Sequence, residues 1–166
     1  MGPQVITGIR SATPDQTLLN LRPNVLYVAL KDPDTETITG KILSINGRKT
    51  FTPNNKTAAM LLYLLASDDD DSILLSNFLS LVMNKFNGAT TDNIYDFLET
   101  LHKEHNILNM RHGVAATSDP DPLGLFNVKE NWDPNPDLIP GAAGKEPICK
   151  AKTFFSQNAW YVIIPR

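Results

Sequence analysis

Between residues 24 and 106 the pattern of apolar residues changes once, from short runs rich in Val, Ile, Leu and Thr bounded by turn signals, which suit strands, to the three-and-four spacing that suits helices. No other feature limits the fold as much. Before the change, "NVLYVALKD" (24–32) and "ETITGKILSI" (36–45) are rich in Val, Ile, Leu and Thr, with a "DPDT" turn between them. "NG" at 46–47 offers two residues that readily take positive φ in a tight hairpin, so "RKTFTP" (48–53) is expected to pair back on the preceding strand.

After the change come three helical runs. "KTAAMLLYLLASD" (56–68) follows Pro53 and an Asn pair able to cap it. "SILLSNFLSLVMNKF" (72–86) sets Leu75, Phe78, Leu79, Val82, Met83 and Phe86 at helical spacing, and Gly88 stops it. In "TTDNIYDFLETLHKEHN" (90–106), Ile94, Phe97, Leu98 and Leu101 fall at i, i+3, i+4 and i+7, with Thr91 or Asp92 as cap. Residues 107–116 fit either a strand or a loop. "ICKAKTFF" (148–155) and "AWYVII" (159–164) read as a closing β-hairpin. Strands followed by helices predict an α+β fold: an antiparallel meander, three helices and a C-terminal hairpin in a single domain over 1–166.

One stretch obeys neither period. "SDPDPLGLFNVKENWDPNPDLIPGAAGKEP" (118–147) holds six of the twelve prolines. Unstructured loops beyond about 15 residues are uncommon in compact domains and are usually functional or disordered. Leu123, Leu125, Phe126, Trp132, Leu138 and Ile139 need a surface to cover, either the domain's own core edge, which is the favoured one, or a partner. Leu125, Phe126 and Trp132 are the candidate partner-binding residues, for another protein or a second copy.

Charge narrows the function. The net charge is −3, yet residues 56–105 carry three Lys/Arg against eight acids, the wrong sign for gripping phosphate backbones. No apolar run approaches the ~20 residues of a membrane span, and the start lacks the pattern of a secretory signal. A cytoplasmic protein is expected, or the cytoplasmic part of a membrane-anchored regulator. Cys149, the single cysteine, excludes an internal disulfide and reads as a buried thiol.

No phosphate loop, nucleophile elbow or Cys/His pair is present, so neither an enzyme nor a cofactor is expected. Glu99, His102 and His105 run at i, i+3 and i+6, which leaves one of them off the shared face; solvated helix residues are the better reading than a metal site. "DDDD" (68–71) lacks the spacing of a calcium loop and reads as capping charge before a helix.

In this order of elements the chain resembles the OmpR/ToxR-type winged-helix domain. "NGRKTFTPNNKTAAMLLYLLASD" (46–68) is similar to its last N-terminal strand and first helix, and "ILLSNFLSLVM" (73–83) to its second helix. "TTDNIYDFLETLHKEH" (90–105) resembles the recognition helix, and "KTFFSQNAWYVIIP" (152–165) the wing. The resemblance implies a transcription regulator that binds double-stranded DNA. Thr91, Asn93, Tyr95, Asp96, Glu99, His102 and Lys103 would face the duplex, with Lys150 and Lys152 on the wing and 106–147 inserted between helix and wing. This sequence departs from the pattern by placing Asp96 and Glu99 on the reading face, where carboxylates repel phosphates. The alternative is a winged-helix-like protein-interaction or assembly module that does not bind DNA.

Overall fold

The segments rich in Val, Ile, Leu and Thr form strands and the helical runs form helices, in a mixed α+β arrangement. The computed structural model describes residues 8–22, 25–31, 38–44, 50–53, 55–66, 72–114, 121, 126, 129–135 and 138–140. Strand β1 is Thr17–Leu21. The expected meander follows as β2 (Val25–Lys31), β3 (Ile38–Ser44) and β4 (Thr50–Pro53), each antiparallel to the next. Tyr27 lies opposite Ile42, and Ile42 opposite Phe51. The turns expected at "DPDT" and "NG" lie outside the described residues.

Helix α1 (Lys56–Leu65) starts where Asn55 accepts a hydrogen bond from the Ala58 amide at 2.7 Å, as the Asn pair suggested. Every residue from Thr57 to Leu65 is buried, which explains why this run is apolar on all sides. It lies against β1, β2, β3 and β4. Tyr27, fully buried, donates its hydroxyl proton to the Ala59 carbonyl at 2.6 Å and ties sheet to helix.

A second sheet has the order β5-β1-β7, where β5 is Ile73–Leu74 and β7 is Leu108–His112. Between these outer strands run helices α2 (Leu75–Lys85) and α3 (Thr91–Glu99), and α3 continues into a π-helical turn, Thr100–Glu104. The turn ends at Asn106, whose φ of 53° a short polar side chain tolerates. Gly88 takes a φ of 85° just past α2, the position at which it was read as a stop.

Leu75, Phe78, Leu79, Val82 and Phe86 from α2 and its end, with Ile94, Phe97, Leu98 and Leu101 from α3 and its π turn, all enter the core. Met83, expected among them, is 38% exposed. The cap of α3 also differs from the expectation of Thr91 or Asp92. Thr90 accepts from the Asn93 amide at 3.1 Å while the Asn93 side chain accepts from the Thr90 amide, a reciprocal box one residue earlier. Helix α2 has Leu74 at its N-cap with no side-chain bond, and the aspartate run at 68–71 lies outside the described residues.

Part of the proline-rich excursion is stitched to the body by backbone bonds. Strand β8 (Glu130–Asn131) pairs in parallel with β6 (Phe86–Asn87), and β9 (Leu138–Pro140) adds a fourth strand beside β4. Of residues 107–116, which fit either a strand or a loop, Leu108–His112 form β7, paired along its whole length with β1. The expected hairpin at 148–165 and the Cys149 thiol lie outside the described residues. Among the described residues no helix is long and apolar enough to cross a membrane.

Candidate recognition-helix surface

The outward face of α3 is built by its own periodicity: once Ile94, Phe97 and Leu98 are buried, Asp92, Asp96 and Glu99 must point away from the core. What meets them comes from the N-terminus. Gly8–Gln16 makes two short 3-10 turns before β1, and the first, Ile9–Ser11, is anchored by fully buried Ile9.

This anchoring places Arg10 over α3. Its guanidinium bonds Asp92 at 2.7 Å, bonds Asp96, and lies 3.3 Å from Glu99, with the Tyr95 ring beneath it at 5.5 Å. A planar five-donor group suits this task, because it can serve several carboxylates while stacking on an aromatic face. The Asp92 bond, above all, raises the proton affinity of Arg10. Glu99 also has Lys103 one turn away at 3.9 Å.

The residues expected to face DNA therefore divide. Asp96 and Glu99 share Arg10, and Tyr95 is half-buried beneath it. Asn93 is spent on the cap. Thr91 is exposed and directs its hydroxyl to the Met83 sulfur at 3.8 Å. Lys103 is exposed, whereas His102 is half-buried with Nδ1 lacking a hydrogen-bond partner among the described residues. Lys150 and Lys152 lie outside the described residues.

His105 is half-buried at the core edge, as read from the sequence, with Nε2 also lacking a hydrogen-bond partner among the described residues. No group of three or more His, Cys, Asp or Glu among the described residues is arranged to hold a metal ion.

Of the candidate partner residues, Leu125 lies outside the described residues. Phe126 and Trp132 are half-buried, each edge-on to Phe86 at centroid distances of 6.1 and 5.8 Å. Their apolar surface is thus partly covered by the domain's own core edge. Arg10 was not singled out from the sequence: it stands 82 residues from Asp92, and only the fold brings them together. Comparisons with protein-family models, curated proteins and solved structures return no match.

Proposed function

We propose that this chain is a winged-helix-like protein-interaction or assembly module that does not read duplex DNA. The observation that carries the reading is the outward face of α3, where three carboxylates are drawn together around Arg10. A DNA-reading helix needs donors aimed at base edges and cations near phosphates. Here the arginine beside the helix is engaged by its own acids, Asn93 serves the cap, and Lys103 is the exposed cation of the π turn.

The winged-helix frame is supported by order: a strand enters α2, α2 leads to α3, and a strand leaves α3 to join the same sheet. The proposed contact is the corner where the exposed Thr91 hydroxyl reaches the sulfur of exposed Met83. An exposed apolar side chain on α2 at the start of a helix whose outward face carries Asp92, Asp96 and Glu99 suits a protein surface that brings apolar and basic groups.

The test is a titration of a fluorescent random duplex across salt concentrations. We expect no binding at low salt. The charge-reversed variant Asp96→Lys/Glu99→Lys should acquire weak binding whose logarithm falls linearly with log salt, because nonspecific affinity is mostly counterion release. Salt-dependent binding by the unaltered chain would reject the module reading in favour of a DNA-binding regulator.

A further inference from the structure

The turn Ile9–Ser11 rests on α3 through two side chains of different character. Ile9 is fully buried in the core, and Arg10 reaches Asp92, Asp96 and Glu99 across the Tyr95 ring. One of its guanidinium nitrogens also lies 3.5 Å from the Asp92 carbonyl oxygen. Among the described residues, every hydrogen bond and ion pair that joins residues 8–12 to the rest of the chain comes from Arg10. The turn's other hydrogen bonds close on itself. The Ser11 amide and hydroxyl donate to the Gly8 carbonyl at 3.2 and 3.0 Å, and the Ala12 amide donates to the Ile9 carbonyl at 3.2 Å. The backbone then runs extended through Ala12 and Thr13, and is fixed to the body at Gln16, whose carbonyl accepts the Gly113 amide at 3.0 Å.

We propose that α3 carries a seat for a segment of another protein that presents an arginine beside an apolar side chain, and that residues 8–12 are a plug that fills this seat from within. The inference deepens the module reading and rests on it. With Arg10 withdrawn, three carboxylates would face one vacated point, and Lys103 approaches only Glu99 of the three. Like charges gathered in this way favour whatever cation arrives. Arginine suits the seat better than lysine, since one planar fork serves several carboxylates while lying on an aromatic face. Ile9 supplies the second requirement, an apolar neighbour that reaches the core. Lifting the turn breaks no backbone–backbone hydrogen bond to α3, so an incoming segment competes with two side chains rather than with a ladder. Its apparent affinity scales with the fraction of time the seat is open, which makes the plug a regulator of the site.

Amide chemical shifts of residues 91–99 in the whole chain test this, with a capped peptide of residues 8–14, GIRSATP, as the probe. In Ile9→Ala/Arg10→Ala the seat stands open, and the peptide should bind there saturably, at least about tenfold tighter than it binds the unaltered chain. The peptide carrying Arg10→Ala should not bind, and the peptide carrying Arg10→Lys should bind more weakly. No binding to the double variant would overturn the seat. Equal binding to variant and unaltered chain would overturn the plug, and equal binding of the lysine peptide would reduce the seat to a general attraction for cations. Should the double variant fail to fold, Arg10→Ala alone keeps Ile9 in the core and frees the carboxylates. Salt-dependent shifts at Asp92, Asp96 and Glu99 then support the seat, and their absence overturns it. A dimer of the unaltered chain that Arg10→Ala dissolves would place a second copy's turn in the seat and overturn the assignment to another protein. A chain that binds neither duplex nor peptide keeps the module reading and loses this one, so the two fail separately.

Discussion

Tyr27 and Lys85 are both buried and ionisable, and their burial acts on stability with opposite signs. Desolvation, the largest effect on Lys85, lowers its proton affinity below the usual 10.5, against the pull of Glu130 and Asp121. The unfolded chain then binds more protons at this site than the folded one. Its contribution to stability therefore rises with pH between the lowered value and 10.5. Burial pushes the Tyr27 phenol well above 10.0, so its contribution is complete below pH 10 and is lost as the pH climbs further. Urea midpoints measured across the alkaline range should show Lys85→Met flattening the rise and Tyr27→Phe flattening the fall. Tyr27→Phe also removes the 2.6 Å bond to the Ala59 carbonyl and should cost about 1 kcal/mol at neutral pH. The sequence displays both residues, but neither their burial nor their partners, because Ala59 and Glu130 are assigned by packing.

At the scale of elements, the clearest dependence is that of α3 on its cap. Thr90→Ala removes the acceptor for the Asn93 amide and breaks the reciprocal box, which should destabilise the domain by about 1 kcal/mol in denaturant titrations. Arg10→Ala should leave the urea midpoint nearly unchanged, because Asp92 and Asp96 are largely exposed and water screens their pairing. It should nevertheless make the α3 face more acidic, which binding of a basic partner would register. The helices were legible because α2 and α3 bury one stripe and α1 its whole girth, and the spacing records it. The meander was legible from its β-branched runs and the turn signals between them. β1 was not. All five of its residues are buried, so "TLLNL" carries no alternation to mark it as a strand. The short strands β8 and β9 were equally hidden, since two or three residues hold no period and their partners lie far away in the chain.

For the whole molecule, the excursion is partly a component of the body rather than an arm. Trp132→Ala strips a half-buried ring from Phe86 and should cost about 2 kcal/mol, less than a fully buried aromatic would, as read from thermal or urea unfolding. The sequence by itself determined the α+β class, the three helices, the meander, the apolar stripes that fill the core and the carboxylates on the outward face of α3. Local composition, turn residues and helical spacing encode these, because each depends on neighbours within a turn or a short run. Only the tertiary structure decided that Arg10 would clamp those carboxylates, that β1 would lie between β5 and β7, and that Glu130 would stand between Lys56 and Lys85. Each of these joins residues tens of positions apart, and such contacts follow from which buried surfaces fit together rather than from any pattern along the chain.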